Sequence, residues 1–207
     1  AMGTFTQASS SYPTFTDFRD HVPAFAQVAA MTTRDASLGR GSDAKQIKAA
    51  AVSHEYFPLL GLRPSLGRFF GGAEDRVGGE PVVVLTWGFW QRQFGADGGI
   101  LGTPLQIGSR TYTVIGVGPE GFGGIDLRSV DVFVPISLAA PDFASTEALT
   151  NRNWWWMQSI ARLRPGVPVS QVRATAAPGH TCTGEAEAEC CRRLGVGNAD
   201  CYRAQCM

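Results

Sequence analysis

No cysteine occurs before Cys182 in this 207-residue chain, and the five it has (Cys182, Cys190, Cys191, Cys201 and Cys206) crowd its last stretch. A disulfide framework is therefore excluded from the body, which suits an exported domain and equally a cytosolic one. Charge is also scarce. Charged residues make up 17% and the net charge is zero, so there is no polyanion-binding signature and no nucleic-acid partner is expected. No apolar run approaches the roughly 20 residues that a membrane helix needs. Ala1-Met2-Gly3-Thr4 leads directly into polar sequence, so no signal peptide is expected there, and Ala-Met-Gly fits a cloning remnant. No internal repeat or low-complexity segment is visible. Hydrophobic residues reach 44%, enough for a core in one large domain or two small ones.

What is present is organised around Glu80 to Pro135. Val82-Val83-Val84-Leu85 is short, apolar and β-branched, and reads as a buried strand. Trp87, Phe89, Trp90 and Phe94 then give one face of a short helix, which Gly95 is placed to end in a left-handed conformation. Leu105-Gln106-Ile107 and Arg110-Thr111-Tyr112-Thr113-Val114 flank Gly108-Ser109, a two-residue connection suited to a hairpin. Val132 to Pro135 is a further strand.

Elsewhere, Ser11-Tyr12-Pro13-Thr14 introduces a helix, with Phe15, Phe18 and Val22 on one face and Pro23 ending the run. Phe25, Val28 and Ala29 suggest a second short helical turn. Thr32 to Lys48 reads as a hairpin or two edge strands with a loop at Gly39–Asp43. Ile47 to Val52 reads as a strand, after which Ser53 caps a helix from His54 to Leu60, closed by Gly61. Ala139 to Arg152 reads as a loop or irregular helix, Trp154 to Leu163 as a strand, and Ser170 as the cap of a helix beginning at Gln171.

Several of these segments, taken in order, resemble one family. Val52-Ser53-His54-Glu55-Tyr56-Phe57-Pro58-Leu59-Leu60-Gly61-Leu62-Arg63-Pro64 with Leu66-Gly67-Arg68 is among the most specific. Val82–Leu85 with Trp87, Trp90, Phe94 and Gly95, then Tyr112 to Val117 with Pro119, Gly121 and Phe122, continue the match. Asp131 to Pro135 and Ala161-Arg162-Leu163-Arg164-Pro165-Gly166-Val167 complete it. Together they look like the MacB-type periplasmic core domain of FtsX-like ABC-transporter permeases, over about residues 11 to 177.

The resemblance implies an α+β fold, a porter-like α/β subdomain with an inserted β-rich subdomain. The porter-like parts would be about 11–30 and 150–177, the inserted part about 31–149, and residues 1–10 a linker or remnant. It implies a non-catalytic extracytoplasmic domain in efflux or envelope export, at the periplasmic or extracytoplasmic face of the bacterial inner membrane. The partners implied are a cytoplasmic ATPase subunit, reached through the full-length permease, and a periplasmic protein. Contact with the membrane would come only through transmembrane helices that this chain does not hold. Two departures stand out. The family's first porter strand, before Ser11, reads as absent or cut short. After about Ala177 the pattern gives way to a Cys-rich tail, residues 178–207, read as a frameshifted or fused terminus. A fold truncated at both ends would expose sheet edges, which makes a homodimer plausible.

Catalytic and metal motifs are weighed against bland readings. Ser53-His54-Glu55 holds three catalytic residue types in a row. Adjacent residues on a helix or strand diverge, so a helix cap with surface residues is preferred to a triad. No G-x-S-x-G elbow occurs. His54-Glu55 lacks the second histidine of a zinc-protease motif. A serine hydrolase of the esterase kind, pairing His21 or His54 with Asp17 or a distant serine, is the alternative function. The tail cysteines, with His180 just before them, are spaced loosely for zinc, so a metal-binding tail is a second alternative. Trp154, Trp155 and Trp156 read as core strand residues before a ligand-stacking platform. The glycines at Gly78-Gly79 and Gly121 to Gly124 lack the Lys-Ser/Thr of a phosphate loop. No catalytic, cofactor or metal residue is assigned. The loops Gly39–Asp43, Gly71–Gly79 and Gly118–Asp126 are the expected contact surfaces. Purified chain is expected to hydrolyse p-nitrophenyl esters no faster than a heat-killed control. Activity lost on changing His21, His54 or His180 to alanine would instead name a catalytic base.

Overall fold

The computed structural model describes residues 5–125 and 129–168. In chain order the first elements are β1 (Phe5–Ser10), α1 (Tyr12–His21), β2 (Phe25–Leu38), β3 (Lys45–Val52), α2 (Tyr56–Leu60), β4 (Leu66–Gly67) and β5 (Val82–Leu85). They are followed by α3 (Trp87–Phe94), β6 (Pro104–Ile107), β7 (Arg110–Val117), β8 (Val132–Pro135), α4 (Ile136–Phe143) and β9 (Met157–Leu163). The fold is mixed α and β. The chain divides into two compact units, one taking it up to Ala29 and again from Thr150, the other Ala30–Leu149.

In the first unit the strand order is β1-β9-β2. Strands β1 and β9 are antiparallel, from Phe5 opposite Arg162 to Ser10 opposite Met157. The expected missing strand before Ser11 is thus present as β1, and residues 5–10 are not a linker. Its sequence, Phe-Thr-Gln-Ala-Ser-Ser, lacks the alternation that marks a half-buried strand; pairing with β9 decides its conformation. Ser10 Oγ and Ser159 Oγ, both buried, lie 2.6 Å apart and satisfy each other. Helix α1 begins as expected. Ser11 Oγ accepts the Thr14 N–H at 3.3 Å, and Pro13 sits in the first turn, where its missing N–H leaves no bond unmade. Phe15 is fully buried and Phe18 meets the edge of Phe25. Phe25, Val28 and Ala29 belong to β2, not to a helical turn. Their three-and-four spacing also fits a strand that is apolar on both faces from Val28 to Met31.

The second unit is built on a ring of strands. Its path runs β2-β3-β8-β5-β7, with β4 beyond β7, and β6 pairs both β7 and β2. The order therefore returns to its start. The closing contact pairs Leu38 with Ile107, with Gly39 N–H donating to the Gln106 carbonyl at 2.9 Å and Gly108 N–H to the Ser37 carbonyl at 2.8 Å. Strands β2 and β3 form the hairpin that was one of the two readings, antiparallel up to Leu38 opposite Lys45, and closure of the ring leaves neither of them at an edge. All four residues of β5 are buried, with β7 parallel on one side and β8 antiparallel on the other. The hairpin at Gly108-Ser109 forms as read, with Ile107 opposite Arg110. Where β4 crosses β7, both backbones come too close for side chains. A Cβ at Gly67 (φ 66°) would lie 2.2 Å from the Ile115 carbonyl oxygen, and one at Gly116 2.2 Å from that of Arg68.

Helix α3 is capped by Thr86, whose Oγ1 accepts the Phe89 N–H at 3.3 Å, and ends on Gly95 at φ 60°. Helix α4 starts at Ile136 and ends at Phe143, earlier than the irregular segment expected. The core gathers on Phe133 of β8. Tyr56, Phe57 and Phe122 lie 5.9, 5.3 and 5.9 Å from its ring, and Phe69 stacks on Phe57 at 3.9 Å. Tyr56, Phe57 and Phe133 are all fully buried. Phe133→Ala is expected to cost about 3–5 kcal/mol, against about 1 kcal/mol for Thr86→Ala, in denaturant unfolding. Equal costs would show that this cluster is not the core.

Candidate functional site

Asp75 is the hub of a polar cluster that joins three segments of the chain. It comes from the 71–79 loop, read from sequence as surface, yet its side chain is only 3% exposed. Helix α4 follows Pro135, which offers no side-chain cap. Asp75 supplies one from outside, its Oδ1 accepting the Ser137 N–H at 3.1 Å, one of the orphan donors at the helix start. Asp75 Oδ2 accepts the His54 N–H at 2.9 Å, and Ser137 Oγ donates to the Asp75 carbonyl at 3.4 Å.

The loop itself is cross-braced. Glu74 accepts from the Gly71 N–H at 2.9 Å and from Arg68 Nη2 at 2.6 Å. The Gly71 N–H, with Arg68 beside it, holds the Glu74 carboxyl below its ordinary value of 4.5 against the opposing pull of burial. Val77 stands 76% exposed on the same loop.

His54 and Glu55 lie in the turn between β3 and α2. The helix begins at Tyr56, not at His54, and Ser53 does not cap it. Ser53 Oγ instead accepts the Ala30 N–H at 3.0 Å. In a turn, adjacent side chains are free to converge, and these do. His54 Nε2 lies 3.4 Å from Glu55 Oε1, and Nδ1 lies 3.4 Å from Asp75 Oδ2. His54, Glu55 and Asp75 each place one ligand-type atom within 4.8 Å of the others, the one such group among the described residues.

A serine triad is not what this geometry assembles. The nitrogen that would take a serine proton, Nε2, faces a carboxylate oxygen. Of the serines tied to this region, Ser53 bonds Ala30 and Ser137 shares Asp75. Asp17 is engaged by Arg152 Nη1 at 2.5 Å, and His21 ends α1 on the surface. His180, the cysteines and Ser170 lie outside the described residues. Trp154, Trp155 and Trp156 precede β9 instead of lying on it; Trp156 is buried while Trp155 is 49% exposed. Of the expected contact loops, residues 40–43 are exposed, but in the third Gly118 is buried and Phe122 stacks on Phe133.

Sequence reasoning passed over Asp75 and Ser137. They stand 21 and 83 residues from His54 along the chain, and no local pattern links them. The lowered value of Glu74 means that its stabilisation is complete above 4.5 and is lost as pH falls through that lowered value. Protection of the amides in the 71–79 loop, taken relative to the intrinsic exchange rate at each pH, is expected to fall on acidification below about 4.5 and to be less pH-dependent there in Glu74→Gln. An unchanged pH profile in that variant would show that another group controls the loop.

Comparison with known proteins gives consistent results. The family model described as MacB-like periplasmic core domain matches residues 2–178. No curated protein sequence matches the chain. Among solved structures, the periplasmic region of MacB from Actinobacillus actinomycetemcomitans is similar at 17% identity and a TM-score of 0.60, over 92% of this chain and 77% of that one. The extracellular domain of the noncanonic ABC-type transporter YknZ from Gram-positive bacteria is similar at 17% identity and a TM-score of 0.60, over 92% and 87%.

Proposed function

Because this chain belongs to the MacB-like periplasmic core domain family, we propose that it acts as a non-catalytic coupling and contact domain in efflux or envelope export. At the coarser level the domain is the extracytoplasmic part of a MacB/FtsX-like ABC permease, a class that works with a cytoplasmic ATPase. No helix among the described residues is long and apolar enough to cross a membrane.

One observation carries the proposal. The first described strand and the last pair with each other, Phe5 opposite Arg162, and both belong to the same unit. Motion delivered by flanking segments would act on β1 and β9 together. The intervening unit, Ala30–Leu149, is inserted between them and supplies surface for contact. Its exposed 40–43 turn and Val77 are the contact points proposed, because exposed loops on a rigid scaffold carry recognition at little structural cost. A periplasmic protein is the proposed partner; a second copy of the chain is the other outcome to look for.

A photo-crosslinking amino acid placed at Ser42 or Val77 of the parent permease in cells tests this reading. Adducts with a protein of the extracytoplasmic compartment, or with a second copy of the permease, are expected from at least one site. Adducts with cytoplasmic proteins alone, or none from either site, would remove the contact role.

A further inference from the structure

We propose that His54, Glu55 and Asp75 form a binding site for one divalent transition cation, zinc by preference. The proposal does not depend on the coupling role above. It starts from distances. Both His54–carboxylate separations are 3.4 Å. That is long for a charge-assisted hydrogen bond, which runs at about 2.7–2.9 Å. It matches the spacing of two ligands on one ion, about 3.3–3.4 Å for zinc at the tetrahedral angle, but for one acid at a time, because the two separations start from different ring nitrogens. One donor atom from each of the three residues already falls within 4.8 Å of the other two.

Charge and burial point the same way. A neutral imidazole and two carboxylates carry two negative charges, which match a divalent cation. The carboxylates are withdrawn from water, with side-chain exposures of 18% for Glu55 and 3% for Asp75. Buried carboxylates are retained where they are paired or hold a metal. Asp75 can ligate without giving up its hydrogen bonds to His54 and Ser137, because each carboxylate oxygen has two lone pairs. His54 is more mobile in principle, with 35% of its side chain exposed. Its ring presents different nitrogens to the two acids, so it turns on binding to offer one of them to the metal. Gly72 lies beside the Nε2 edge and brings no side chain to it; a Cβ there would stand 3.5 Å away.

The donor set selects the class of ion. One imidazole nitrogen with two carboxylate oxygens suits zinc and its neighbours. It lacks the thiolates that favour copper(I) and the six or more oxygens that calcium takes. Three protein ligands leave a position for water, so the ion would be exchangeable. Binding would tie together the turn before α2, the 71–79 loop and the start of α4, all within one unit.

The test uses the full chain with its five cysteines changed to serine, which removes thiolates as competing ligands. Zinc chloride is titrated calorimetrically into this chain and into the same chain carrying His54→Gln or Glu55→Gln, with circular dichroism confirming the fold of each. The expected result is one zinc per chain, not displaced by millimolar magnesium, and bound at least tenfold more weakly in both variants. No zinc binding in the cysteine-free chain would overturn the proposal, as would binding that either variant leaves unchanged. A midpoint of acid unfolding that shifts in His54→Gln while zinc does not bind would also overturn it, assigning the cluster to proton binding alone.

Discussion

The packing of aromatic rings against Phe133 is the constraint on which the larger unit depends. Phe133 sits on β8, between β3 and β5, and contributes a fully buried ring. Tyr56 and Phe57 reach it from α2, a helix of five residues that is too short to be stable in water by itself. Its helical form therefore comes from burying those two rings. The same burial places the turn before α2, and so aims His54 and Glu55. Phe122 reaches Phe133 from the loop after β7, which is why a glycine-rich segment that reads as surface is partly drawn inward.

Asp75 is the polar counterpart of that cluster. A buried carboxylate is costly unless its lone pairs are met, and here two backbone N–H groups from distant parts of the chain meet them. The consequence is reciprocal. The 71–79 loop gains an anchor, and α4, which begins after a proline, gains the cap its own sequence does not provide. Polar and apolar anchoring thus converge around α2, and the only His-Glu-Asp cluster among the described residues lies where they meet.

Much of the fold was legible wherever the information was local. The Ser11 cap with Pro13, the β5 run, the Thr86–Gly95 helix and the Gly108-Ser109 hairpin each rest on residues a few positions apart, and each appears in the structure. The family resemblance rested on the same kind of segment. What was misread is non-local. Strand β1 has no strand pattern of its own and exists because β9 pairs with it. Phe25, Val28 and Ala29 satisfy helical and strand spacing alike, and the extension of β2 settles the choice. The three tryptophans sit in the approach to β9 because pairing starts only at Met157.

By itself, then, the sequence determined the short elements, the buried runs and the family to which the chain belongs. Caps, turn glycines and apolar periodicity act over a few residues, and their energies do not wait for the rest of the fold. The tertiary structure alone decided the closure of β6 onto β2, the strand role of residues 5–10 and the meeting of His54, Glu55 and Asp75. Each of these joins residues far apart in the chain, or a turn whose direction is set by rings packed elsewhere. No local propensity encodes such a pairing, because the free energy that selects it is released only when the whole core is buried.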